Sequence, residues 1–263
     1  NKPVGVASIA SVLIGVAMFG GLAALPLYLQ IVKGATPTEA GLLLLPMTLG
    51  IMIGSILSGQ IISRTGRYRV FPIVGSALLT ISLFIFHYVA YDTPLWQTMI
   101  VMTMFGVGLG FNFQPLTLAV QNAVPPQQIG VATSTATFTR QIGGTLGTAV
   151  FLSILFSTAS EKITTALAAA VPTQESQAAL ADPANAAVAE QFAAAQSGGG
   201  AATSLLSDSS FLTGLDERLA KPFLIGFSEA MDLVFLTGSA IMVLGFLVML
   251  MLPSVELRKS SGY

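Results

Sequence analysis

Few side chains in this chain could do chemistry, and most of those lie inside apolar runs. Arg140 and Gln141 close a hydroxyl-rich stretch of Thr133, Ser134, Thr135, Thr137 and Thr139. Hydroxyls are cheap to bury because they bond back to their own helix carbonyls; a guanidinium is not. Counted from Gly130, Arg140 sits ~15 Å along a helix, deep enough for a gating or coupling role shared with Gln141. In the plainer reading it pairs with helix-end carbonyls or reaches water along its stem. Glu229 and Asp232 lie one turn apart on one face. Burial would raise such carboxyls into a proton-carrying range, whereas a polar cap at a membrane surface is the plainer role. His87 is the single histidine and cysteine is absent, which leaves no ligand set for a metal and no thiolate chemistry. Gly106, Gly108 and Gly110 spell GxGxG, but no strand precedes them and they lie inside an apolar helix, so they do not read as a nucleotide loop. With no catalytic dyad or phosphate loop, the chain reads as no enzyme, with no cofactor, no metal and no nucleic-acid partner.

The elements that must position these residues are membrane helices. The chain is 53% hydrophobic and only 9% charged, where a soluble domain carries about 25% charge. Its apolar runs approach 20 residues, the length that crosses ~30 Å of hydrocarbon as a helix. The fold class is therefore all-α and polytopic, with five spans at about 6–31, 37–62, 71–88, 94–120 and 131–156. An Ala/Ser-rich segment follows at 158–225, and a sixth span with a short tail fills 226–263. That segment carries Gly198-Gly199-Gly200 and few large side chains, so it reads as a largely mobile external loop with a helical piece near Leu205 to Leu219. Thr36-Pro37-Thr38-Glu39 is a helix start with a capping-box pattern, and Tyr91-Asp92-Thr93-Pro94 is a second start. Pro46 is expected to kink the second span. Gly50, Gly54 and Ser58 are four apart, the spacing that lets another helix approach closely. The first span carries a stripe of small and polar residues: Ser8, Ser11, Gly15, Phe19, Pro26 and Gln30. Met18, Met102 and Met104 with the many phenylalanines would suit a soft, adaptable pocket or ordinary apolar filling.

Sidedness follows from Gly59 to Arg69, GQIISRTGRYR, a basic turn between two spans. Lysine and arginine favour the cytoplasmic side of short loops. Six spans put Lys2, Arg64, Arg67, Arg69, Arg258 and Lys259 on that side, against Lys33 in the short loops of the other. Both ends of the segment are expected in the cytoplasm. Asn1 is followed almost at once by an apolar run, so the chain reads as an excerpt of a longer one or as one lacking only its first residues.

The basic turn also resembles a motif of the major facilitator superfamily, G-x-x-x-D-R-x-G-R-R/K, found between the second and third helices of a six-helix half. Gly59, Arg64, Gly66 and Arg67 match; Ser63 stands where the pattern has Asp, and Tyr68 at the second basic position, with Arg69 one later. YLQIVKGATPTEAGLLLLPMTLG resembles the first hairpin of the C-terminal half of fourteen-helix drug:proton antiporters of the EmrB/QacA type. GVGLGFNFQPLTLAVQNAVPPQQIGVATSTATFTRQIGGTLGTAV is similar to the fourth and fifth helices of the same half.

The resemblance implies two six-helix halves rocking about a central site, of which this chain is the second. It implies proton-driven efflux of hydrophobic or cationic compounds from a bacterial cytoplasmic membrane, with an upstream N-terminal half, lipid, substrates and protons as partners. In such halves the first and fourth helices line the cavity, which makes Ser11, Phe19, Gln30, Phe105 and Asn112 the cavity candidates. Gln114, roughly 200° round the helix from Asn112, cannot share its face. The alternatives are the same fold exporting a lipid, siderophore or amino acid, and a six-helix scaffold without transport activity.

Overall fold

The computed structural model describes residues 2–170, 172, 173, 177, 179, 185 and 217–251. Every regular element among them is helical. The order is α1 (Lys2–Leu27), a π turn (Tyr28–Val32), α2 (Pro37–Leu43), α3 (Leu45–Thr65), α4 (Val70–Phe86) and α5 (Leu95–Asn122). A 3₁₀ turn (Pro126–Gln128), α6 (Ile129–Ala170) and α7 (Glu217–Leu250) complete it. Five spans are long and apolar enough to cross a membrane: Gly5–Val32, Pro37–Thr65, Leu95–Asn122, Pro126–Ala170 and Arg218–Leu250. The apolar helix α4 has 17 residues, or roughly 26 Å, slightly short of the hydrocarbon thickness.

Proline explains where the helices change form. Pro26 lacks an N–H for the helix ladder, and the last turn after it widens into the π turn at Tyr28–Val32. The second span breaks at Leu44, and Pro46 falls in the first turn of α3, where its missing N–H costs nothing. Thr36 forms the expected capping box: its Oγ1 accepts from the Glu39 N–H at 3.3 Å, and the Glu39 carboxylate accepts from the Thr36 N–H at 2.9 Å. The second expected start differs. Pro94 itself occupies the cap position of α5, with no side-chain cap.

Two helix pairs approach at backbone distance. On α3 and α5, a Cβ at Gly50, Gly54, Gly106 or Gly110 would overlap the carbonyl of Thr103, Val107, Met47 or Ile51. On α1 and α6, a Cβ at Gly15, Gly143 or Gly147 would overlap the carbonyl of Arg140, Val12 or Val16. Small residues let helices meet where lipid offers no hydrophobic drive. Helix α7 packs on α6, α4 and α1, and α5 packs on α3, α4 and α1. Phe86, the last residue of α4, joins these layers, stacked on Phe235 at 5.0 Å and edge-on to Phe105 at 6.5 Å. Helix α3 leans chiefly on α5, and its other face, including Leu49, Met52, Ile53 and Ile56, stays exposed and apolar.

The two ends of the bundle are tied by cations on carbonyls. At one end Lys33 Nζ donates to the carbonyls of Tyr91 at 2.6 Å and Thr93 at 2.7 Å, and Tyr28 Oη donates to that of Ala90 at 3.2 Å. Burial pushes the Lys33 ammonium below its ordinary pKa, with Asp92 opposing. The unfolded chain then holds that proton more tightly, so this group makes stability rise with pH in the alkaline window up to the free-lysine value of roughly 10.4. Lys33→Met is expected to remove that slope and to cost about 1–2 kcal/mol at pH 7, read by thermal unfolding against pH.

At the other end Arg69 Nη2 donates to the Leu250 carbonyl at 2.8 Å, satisfying an orphan carbonyl at the negative end of α7. Arg69→Ala is expected to cost about 1 kcal/mol, read as a lowered unfolding midpoint. These ties place the basic turn beside the end of α7, and Lys33 with the α4–α5 loop at the opposite end.

The fifth helix runs past its expected end at 156 to Ala170, and the sixth begins at Glu217 rather than near 226. Residues 158–170 are thus helix and not loop. Leu155, Ala159, Ile163 and Leu167, four apart, are buried, as are Leu219, Phe223 and Phe227 on α7. Gly226 abuts the Ile163 backbone, and Lys162 pairs with Glu229 at 3.3 Å between exposed side chains. The expected helical piece near Leu205 to Leu219 lies mostly outside the described residues, as do Arg258 and Lys259.

Candidate functional site

Helices α1, α5 and α6 leave an open face between them, and the polar residues of the bundle's middle gather there. Helix α6 is rich in hydroxyls, and these bond back as expected: Thr133 to Ile129 at 2.8 Å, Thr135 to Val131 at 2.8 Å, Thr139 to Thr135 at 2.6 Å. Thr145, which lines the open face, bonds back in the same way to the Gln141 carbonyl at 3.1 Å, so its hydroxyl needs no partner helix. Two adjoining grooves lie on it. One, of about 410 Å³, is lined by Met18, Phe113, Gln114, Thr117, Thr137, Arg140 and Gln141. The other, of about 560 Å³, is lined by Phe19, Gln141, Gly144, Thr145, Thr148 and Ala149. Gln141 belongs to both, so they form one trough along α6.

Arg140 is half-buried, and its guanidinium lies 5.2 Å from the centroid of the Phe113 ring. Phe19 packs its ring over Gly144, where a Cβ would displace it. At one end of the trough Gln121 Nε2 donates to Thr133 Oγ1 at 3.1 Å, tying α5 to α6.

Of the residues expected here, Phe19, Arg140 and Gln141 come together. The others do not. Phe105 is fully buried against Gly21 and Phe86. Asn112 is fully buried against α4 at Gly75, its Nδ2 donating to its own helix at Gly108 at 2.7 Å and its Oδ1 unpaired. Ser11 is buried and donates to the Ala7 carbonyl at 2.7 Å. Gln30 lies in the π turn and lines neither groove. The face of α5 that opens is the opposite one, Phe113, Gln114 and Thr117. Its signal in the sequence is the polar stripe Gln114, Thr117, Gln121 at helical spacing.

In the basic turn, Gly66 caps α3 with φ +69°, a conformation that favours glycine, and Arg67 N donates to Thr65 Oγ1 at 3.3 Å. Ser63, at the position of the motif's Asp, donates to the Gln60 carbonyl at 2.8 Å, within its own helix. Arg64 and Arg67 are exposed. A Cβ at Gly59 would meet only the Gln114 side chain at 4.0 Å, so packing does not demand glycine there. Glu229 and Asp232 lie at the Lys33 end. Glu229 is paired with Lys162, and the Asp232 carbonyl faces His87 Nδ1 at 3.3 Å.

Comparison with known proteins agrees with this architecture. The family model of the Major Facilitator Superfamily matches residues 2–148. A tetracycline resistance determinant of Streptomyces rimosus is 34% identical over 239 residues, 89% of this chain and 67% of that protein. An uncharacterized MFS-type transporter of Mycobacterium tuberculosis is 32% identical over 253 residues, 96% of this chain but 32% of the relative. An efflux pump of Aspergillus parasiticus is 28% identical over 60% of the chain, which spans 30% of the pump. A chain whose described elements are all helical, with these spans and these relatives, is a multi-pass membrane protein, and it belongs to the Major Facilitator Superfamily.

Proposed function

We propose that this chain is the C-terminal half of a fourteen-helix drug:proton antiporter of the EmrB/QacA type. It sits in a bacterial cytoplasmic membrane with both ends of the segment in the cytoplasm, and it exports hydrophobic compounds by alternating access. The observation that carries the reading is the trough on α1, α5 and α6: a polar, open face in the middle of an apolar bundle, centred on Gln141. A membrane helix exposes such a face to a water-filled cavity, not to lipid. The upstream half supplies the opposite wall, and the two halves rock about the site between them. Relatives named for tetracycline resistance and for efflux support the direction of transport. The end holding Arg64, Arg67 and Arg69 is the cytoplasmic one by its charge. The Lys33 end, with the α6–α7 extension, is extracytoplasmic.

The test is a dye-efflux assay on cells expressing the full-length protein, with and without a proton uncoupler. Uncoupler-sensitive efflux above an empty-vector control is the expected result. Efflux that survives collapse of the proton gradient would remove the antiporter reading, and no efflux of any hydrophobic compound would remove the export reading.

A further inference from the structure

We propose that Arg140 is an anion-recognising residue of the trough, and that the cargo carries a carboxylate or a comparably acidic oxygen beside its apolar body. The inference rests on the export reading above and departs from the expectation of cationic cargo. Three observations carry it. The first is that Arg140 has no ion pair or hydrogen bond with any described residue. Its contact is the Phe113 ring at 5.2 Å, which covers one face of the guanidinium and leaves its N–H edge without an acceptor.

The second is where the acids are. The carboxylates whose side chains are described in the helices and loops are Glu39, Asp92, Glu161, Glu229 and Asp232. They belong to the Lys33 end; Glu161 is roughly 31 Å further along α6 itself. Among the described residues, none lining the trough is acidic, and Arg140 is the one charged group. The third is the rest of the lining. Met18, Phe19 and Phe113 offer apolar and aromatic surface, and Gln114, Thr117 and Gln141 offer neutral hydrogen bonds.

A half-buried guanidinium beside an aromatic ring disfavours a cation and binds an anionic oxygen through two parallel N–H bonds. A wall of this kind selects an amphipathic acid. A combined volume of several hundred Å³ suits a drug-sized molecule.

The test is calorimetric binding to the purified full-length protein in detergent. The probes are 1-naphthaleneacetate, its methyl ester, and a naphthylmethyl trimethylammonium ion. The carboxylate is expected to bind at least tenfold more tightly than the other two. Arg140→Gln is expected to erase that preference by weakening the carboxylate at least tenfold more than the ester, and Arg140→Lys to restore part of it. Equal affinity for the three probes in the wild type overturns the proposal, and that comparison needs no variant. An equal loss for all three in Arg140→Gln also overturns it, because Arg140 would then be pairing with an acid of the chain itself. Binding is read apart from transport. A charge-selective protein that exports nothing contradicts the export reading alone, and an exporter indifferent to charge contradicts this inference alone.

Discussion

Gly106→Leu is expected to leave almost no monodisperse protein. Gly106 meets the Met47 carbonyl, and Gly110, one turn on, meets that of Ile51. A leucine side chain there cannot move aside, because the atoms it meets are backbone on the neighbouring helix. It must push α3 off α5. Helix α3 leans chiefly on that neighbour, so the pair separates as a unit. Overpacking of this kind costs about 3 kcal/mol or more, a large share of the stability of a typical domain. Size-exclusion chromatography and thermal unfolding of the full-length protein would read the loss. Gly41→Ala is the control. Gly41 lies inside α2 with nothing within 4 Å of its missing Cβ, so the change should be neutral or stabilise by about 0.5–1 kcal/mol. A Gly106→Leu protein as stable as this control would refute the close α3–α5 contact.

Gln141→Trp is expected to abolish export and spare the fold. Gln141 is exposed and lines both grooves, so an indole there meets no packed neighbour. It would fill much of the trough at its middle. Efflux should fall at least tenfold in the dye assay, which is more than 1.4 kcal/mol in the free energy of the transported complex. Expression and unfolding midpoint should stay within error of wild type. A Gln141→Trp protein that exports normally would place the cargo elsewhere.

Much of the architecture could be read from residues alone. Thr36, Pro37 and Glu39 gave away the start of α2 because a capping box is local chemistry, complete within four residues. Pro46 gave away the break at Leu44 for the same reason. The extension of α6 to Ala170 was hidden by composition. Alanine is both the best helix former and too small to mark a core, so the segment read as loop, although Leu155, Ala159, Ile163 and Leu167 keep an unbroken four-residue spacing. The resemblance implies that the fourth helix lines the cavity and makes Asn112 a candidate, but in this chain Asn112 is fully buried. It fits instead into a slot that Gly75 and Gly108 leave open, and it bonds to its own helix. Which of two opposite polar faces opens depends in part on Gly75 of the neighbouring helix α4, and sequence spacing within α5 does not contain that.

That Arg140 has no carboxylate beside it among the described residues was likewise beyond the sequence: its depth along α6 followed from counting, but its neighbours depend on where α1 and α5 lie. The motif in the α3–α4 turn was visible, whereas the use of Arg69 to cap α7, 181 residues away, was not.

If the chain is half of an exporter, the face of α1, α5 and α6 lines the water-filled path. This chain has no cysteine, so single thiols can be placed at will. Gln141→Cys and Ile53→Cys, each in full-length protein otherwise free of cysteine, would be exposed in membranes to a water-soluble maleimide. The account predicts that Cys at 141 is modified, that an exported compound slows the modification, and that modification stops efflux, while Cys at 53 on the outer face of α3 stays unlabelled. An unreactive Cys at 141 beside a reactive one at 53 would contradict it.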